Sequence, residues 1–101
     1  IRFQIIHDLP TKELRSVIDQ GKKELKEGII IAYATHSGKL GLAIGITEKL
    51  IEKFSAIDLV KIGSSILGGK GGGGRKDFAQ AGGEKQEKIE KSYKEIVKKI
   101  S

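Results

Sequence analysis

The hydrophobic pattern divides the first part of the chain into an extended stretch and a helical one. In residues 1–6, Arg2 and Gln4 lie between apolar neighbours, which predicts a strand with one solvent-exposed face. After Pro10, apolar residues and one glycine recur at helical spacing until Gly28, which predicts an amphipathic helix. The face of that helix consists of Leu14, Val17, Ile18, Gly21 and Leu25.

Two apolar runs in the middle of the chain predict an antiparallel hairpin. Residues 29–35 read IIIAYAT and residues 40–46 read LGLAIGI, and the segment between them, His-Ser-Gly-Lys, is typical of a turn. A strand, a helix and another strand in succession favour a right-handed crossover. We therefore expect the first strand to lie parallel to a neighbour in a mixed sheet.

Helical patterns follow the hairpin. Residues 47–54 predict a short helical turn, and residues 56–67 predict a helix that begins with the capping-box pattern Ser55-x-x-Asp58. A last amphipathic helix is predicted from near Glu84 onward, with lysines and glutamates on its polar face.

The element order predicts an α/β (α+β mixed) fold. It consists of a small mixed sheet with an antiparallel hairpin, about three packed helices, and a glycine-rich loop before the last helix. The length of 101 residues predicts one domain, residues 1–101. Methionine is absent, even from position 1, so we expect a fragment of a longer chain.

Composition narrows the classes of function. The chain has no cysteine, which excludes disulfides, thiol nucleophiles and cysteine-type zinc sites. The longest apolar run, residues 29–34, is far too short to span a bilayer, so we expect a cytoplasmic protein without a membrane partner. The net charge of +6 favours anionic partners, and most of the surplus lies after residue 60.

Residues 68–83 are the strongest functional signal, because eight of these sixteen residues are glycine. One interpretation is a linker. The other is a concave phosphate site, in which consecutive amides, a helix start near Glu84 and three cations face phosphate oxygens. The predicted RNA- or phosphate-binding residues are Lys70, Gly71, Gly72, Gly73, Gly74, Arg75, Lys76, Gln80, Gly82 and Gly83.

Other chemistry has little support in the sequence. His7 and His36 lack a carboxylate at ligand spacing, and the chain contains neither D-H-H nor H-E-x-x-H, so we predict no metal site and no catalytic residue. A Walker loop is also excluded, because Lys70 is followed by glycine instead of serine or threonine. Phe78 could stack on a base, but we favour its burial as an apolar plug beneath the glycines.

The glycine segment resembles the C-terminal signature of alanyl-tRNA synthetases, in the domain also described as DHH-associated. The resemblance rests on residues 60–63 (VKIG), 68–75 (GGKGGGGR) and 79–83 (AQAGG), together with Asp77. The chain departs from the pattern at Lys76, where proline is expected, and at Phe78, where methionine is expected. These departures predict a less rigid loop with a bulkier plug.

The resemblance implies a tRNA-binding module with no activity of its own. The parent would be an alanine-tRNA ligase that uses ATP, magnesium and a zinc ion in other domains. Its implied partners are alanine-specific tRNA, held near the elbow, and the upstream domains of the same chain. One alternative is an accessory domain of a DHH-family phosphoesterase, although Arg75 then stands where a histidine is expected. Another is dimerisation through the closing helix.

Overall fold

A five-stranded mixed sheet forms the centre of the fold, in a computed structural model that describes residues 1–69 and 72–100. The strands are β1 (Arg2–His7), β2 (Ile29–His36), β3 (Lys39–Ile46), β4 (Gly72–Gly74) and β5 (Phe78–Gly83). Their spatial order is β1-β2-β3-β5-β4. Strand β1 pairs with β2 in parallel and the other neighbours pair antiparallel, which confirms the predicted mixed sheet and its hairpin.

In the described part of the chain, three α-helices pack on the sheet, as predicted. They are α1 (Leu14–Leu25), α2 (Ala56–Ile66) and α3 (Ile89–Ile100). Short 3-10 helices precede α1 and α3 at Thr11–Glu13 and Gln86–Lys88, and a third follows β3 at Glu48–Leu50. Within the described ranges, none of the helices combines the length and the apolar character that crossing a membrane requires.

Helix α1 covers one face of the sheet. Leu14 and Ile18 are fully buried there against Ile30, in the same cluster as Phe78. Phe78 is 9% exposed, so the predicted apolar plug is confirmed. The guanidinium of Arg15 lies 4.7 Å from the centre of its ring, which adds a cation–π contact.

Helices α2 and α3 cover the opposite face, where a small polar network is buried. The hydroxyls of Tyr33 and Ser92 are 2.8 Å apart, and the Ser92 hydroxyl donates to the Gly63 carbonyl at 3.0 Å. Burial raises the pKa of Tyr33 to about 12, although the hydrogen bond to Ser92 partly opposes that shift. The network therefore ties β2 to both helices.

The segment predicted as a glycine loop contains two strands. Residues 72–74 and 78–83 pair with each other, and residues 78–83 also pair with β3. A strand is inferred from alternating apolar and polar side chains, and a run of glycines shows no such alternation. The sequence therefore did not predict these strands. The prediction for Lys70 and Gly71 falls outside the described residues.

The predicted capping box of α2 was wrong. Ser55 occupies the N-cap position with an extended backbone, but its side chain makes no capping hydrogen bond. Instead, the Ala56 N–H donates to the Lys76 carbonyl at 2.9 Å. A carbonyl from the β4–β5 turn thus satisfies a donor at the start of the helix.

Candidate nucleic-acid interface

The turn between β4 and β5 carries the two predicted cations that the structure describes. The Arg75 N–H donates to the Phe78 carbonyl at 2.7 Å, which closes a tight turn around Lys76 and Asp77. The side chain of Arg75 is 72% exposed, and Lys76 is also exposed. Both cations therefore face solvent at the tip of a hairpin.

This turn is held by hydrogen bonds from three separate elements. The Lys76 carbonyl accepts from Ala56 at the start of α2, and the Asp77 carbonyl accepts from the Ile46 N–H at 2.9 Å. The ammonium of Lys22, from α1, also donates to the Asp77 carbonyl at 2.8 Å. The backbone beneath Arg75 and Lys76 is therefore fixed by tertiary contacts even though position 76 is not proline.

A groove of about 630 Å³, here called the basic groove, lies beside the turn. Its lining comprises Lys22, Lys26, Ile46, Thr47, Glu48, Ile51, Arg75, Lys76 and Asp77. Four of these residues are cations and two are carboxylates. The described lining therefore keeps an excess of positive charge suited to a polyanion.

Asp77 moderates that charge. Its carboxylate lies 4.0 Å from the Lys22 ammonium and 3.9 Å from Nε of Arg75. At such separations and with this exposure, each ion pair contributes no more than about 1 kcal/mol. Asp77 therefore orients Lys22 and Arg75 only weakly, and a stronger anion can compete for both side chains.

A second groove, here called the glycine groove, has a volume of about 750 Å³. Its lining comprises Thr11, Gly38, Lys39, Leu40, Gly41, Gly72, Gln80, Ala81, Gly82, Gly83 and Glu84. Strand β5 leads from the Arg75 turn to this groove, and its last four residues belong to the groove lining; the strand is about 17 Å long at the usual rise. Six of the candidate residues therefore fall into two places: Arg75 and Lys76 line the basic groove, whereas Gly72, Gln80, Gly82 and Gly83 line the glycine groove.

Close packing inside the protein explains four of the seven glycines of this segment that the structure describes: Gly69, Gly72, Gly74 and Gly83. A Cβ at Gly83 would lie 2.6 Å from Cβ of Leu67, and one at Gly72 would lie 2.9 Å from Cα of Ala81. At Gly69 it would meet the Gly82 carbonyl oxygen. The bare backbone is thus largely required by the approach of β4 and α2 to β5.

The helix start that was expected to bind phosphate is already occupied. The N–H groups of Glu84 and Lys85 both donate to the Leu67 carbonyl at 2.9 Å. The helix itself begins later, with a 3-10 turn at Gln86. These two amides are therefore satisfied within the protein, which removes one element of the predicted phosphate cradle.

The side chain of Gln80 also has an internal partner. Its amide nitrogen donates to the Thr11 carbonyl at 2.9 Å, which links β5 to the segment before α1. This contact gives Gln80 a structural role next to the glycine groove.

Sequence reasoning missed the cations that other elements contribute. Lys22 and Lys26 come from α1 and its C-terminal end, whereas Lys39 is the first residue of β3. Only the topology brings them to the glycine-rich segment. The one available signal was the crossover, which places α1 against the sheet without specifying which strand its end reaches.

Comparison with known proteins identifies the family. The protein-family model described as the DHHA1 domain matches residues 3–101 of this chain. The chain belongs to the DHHA1 domain family. It is also similar to the crystal structure of the C-Ala domain from Aquifex aeolicus alanyl-tRNA synthetase, with a TM-score of 0.86 and 25% identity. That match covers 98% of this chain and 86% of the other.

Curated relatives of this DHHA1 domain are alanine–tRNA ligases. The relative from Hyphomonas neptunium is 44% identical over 85 residues, which is 84% of this chain and 10% of that protein. The relative from Rhodopseudomonas palustris is 48% identical over 79 residues, which is 77% of this chain and 9% of that protein. The chain therefore spans about a tenth of the length of these relatives.

Proposed function

We propose that this DHHA1 domain is the C-terminal tRNA-binding module of an alanyl-tRNA synthetase and that it holds the RNA backbone in the basic groove. The parent enzyme would carry out ATP-dependent alanylation in upstream domains. The module would help to position alanine-specific tRNA for aminoacylation and editing. The likeness to alanine–tRNA ligases and to the C-Ala domain supports this assignment.

The observation that carries the proposal is the hairpin tip beside α1. Arg75 and Lys76 stand on a backbone anchored from α1, α2 and β3, and Lys22 and Lys26 complete the groove. An anchored backbone lowers the ordering cost of binding. A guanidinium can also donate two parallel hydrogen bonds to one phosphate, which a lysine cannot do. The groove is therefore suited to a polyanion whose shape, and not whose sequence, is recognised.

The test is titration of a transcribed alanine-specific tRNA into the chain and its charge-reversal variants. Arg75→Glu and Lys76→Glu should each weaken binding at least tenfold, because a repelling charge replaces an attracting one at the phosphate. Lys94→Glu, at an exposed position of α3 outside the basic groove, is the matched control. Equal affinities for wild type and Lys76→Glu would refute the assignment.

Two further measurements separate the alternatives. Sedimentation velocity with and without tRNA separates RNA binding from dimerisation through α3, which remains a prediction. NMR mapping of the amides of residues 72–83 during the titration shows which end of β5 meets the RNA.

A further inference from the structure

The glycine groove has chemistry that differs from that of the basic groove. Among the residues that the structure describes, its lining holds one cation, Lys39, and one carboxylate, Glu84. No ion pair joins these two side chains within the described chain. The groove thus offers a separate donor and a separate acceptor to an occupant.

These two groups fit a hydroxyl better than a phosphate. A carboxylate only accepts hydrogen bonds and an ammonium only donates them. A phosphodiester oxygen only accepts, so Glu84 would repel it. A sugar hydroxyl both donates and accepts, so it can satisfy both groups at once, and the 2′-hydroxyl is the group that distinguishes RNA from DNA.

At one position of the groove, Gly82, neither packing within the protein nor the backbone conformation requires glycine. A Cβ at Gly82 would meet only the Leu40 carbonyl oxygen, at an ordinary 3.7 Å, and the residue is exposed with a backbone outside the left-handed region. Glycine in a strand costs about 0.5–1 kcal/mol compared with alanine. Its neighbour Gly83, by contrast, is packed on Leu67. Bare backbone at Gly82 leaves room in the groove for something outside the fold.

We infer that the glycine groove receives a ribose of the bound RNA, with Lys39 and Glu84 contacting its 2′-hydroxyl and Gly82 providing the space. This inference rests on the proposed function and assigns a different role in RNA binding to each of the two grooves. The basic groove supplies charge attraction to any nucleic-acid backbone. The glycine groove supplies the preference for RNA over DNA.

The experiment compares a tRNA transcript with the same sequence made as DNA, each titrated into wild type and variants at several salt concentrations. Gly82→Val fills the groove, and Glu84→Ala removes the acceptor. Glu90→Ala is the matched control, since it removes an exposed carboxylate of α3 that lies outside the groove lining. All four proteins are first checked for cooperative thermal unfolding, which shows that each is folded at the temperature of the titrations.

Wild type should bind the RNA form more tightly than the DNA form. Glu84→Ala should weaken RNA binding about tenfold or more, the loss expected for one hydrogen bond to a charged group. Gly82→Val should also weaken RNA binding, because its side chain fills the space that the ribose would occupy. Neither variant should weaken DNA binding or reduce the salt dependence, and Glu90→Ala should not weaken RNA binding. Glu84→Ala distinguishes best between a ribose and a phosphate in the groove, because removing a negative charge should strengthen binding if the groove holds a phosphate.

Tighter binding of both RNA and DNA by Glu84→Ala would overturn the inference, and so would unchanged RNA binding by Gly82→Val. Failure of the proposed function gives a different result, in which Lys76→Glu binds the RNA as tightly as wild type. The two claims are therefore distinguishable in one set of titrations.

Discussion

The neighbouring glycines at the end of β5 should respond in opposite directions to the same substitution. In Gly83→Ala, the new methyl group would lie 2.6 Å from Cβ of Leu67, which is far inside van der Waals contact. Leu67 is fully buried at the end of α2, so the contact cannot be relieved by turning a side chain outward. We expect a loss of about 1–3 kcal/mol in the free energy of unfolding, the usual cost of overpacking.

The same change at Gly82 places the methyl group in open space. Alanine restricts the unfolded chain more than glycine does, so Gly82→Ala should raise the free energy of unfolding by about 0.4–1 kcal/mol. Thermal unfolding followed by circular dichroism measures both effects, since 1 kcal/mol shifts the midpoint by about 4–8 °C in a domain of this size. A neutral Gly83→Ala, or a destabilising Gly82→Ala, would refute the packing argument.

Two predictions concern side chains with buried or internal partners. Between pH 10 and pH 12, unfolded chains release the Tyr33 proton while folded chains keep it, because the folded pKa is raised from 10.0 to about 12. Urea unfolding should therefore show stability falling more steeply with rising pH in wild type than in Tyr33→Phe, by about 2–3 kcal/mol at pH 12; parallel profiles would contradict this. Gln80→Ala should lower the free energy of unfolding by about 1 kcal/mol, through loss of the Thr11 contact. A Gln80→Ala variant as stable as wild type in the same assay would show that the contact has no structural role.

Local pattern was enough to predict most of the fold. The β2–β3 hairpin follows from two apolar runs around a Ser37-Gly38 turn, and both of these residues have positive φ in the structure. The three helices follow from their apolar faces. The strands β4 and β5 did not follow, because their residues are mainly small. Strand β5 is ordered by pairing with β3, more than thirty residues away in the chain, and β4 pairs only with β5.

The candidate site was predicted as one place because its residues are close in sequence. The tight turn at Lys76 and Asp77 sends the chain back along β4, so Arg75 lies at one end of β5 and Gly82 at the other. The remaining cations were beyond the reach of local reasoning. Lys22 is 55 positions from the Asp77 that it contacts.

The salt dependence of tRNA binding tests the central claim most directly. If the basic groove engages three to five phosphates, the logarithm of the association constant should fall with the logarithm of salt concentration at a slope of roughly −2 to −4. Lys76→Glu should make that slope shallower by about 1 or more, whereas Lys94→Glu should leave it unchanged. A wild-type slope near zero, or the same slope change in both variants, would contradict the account.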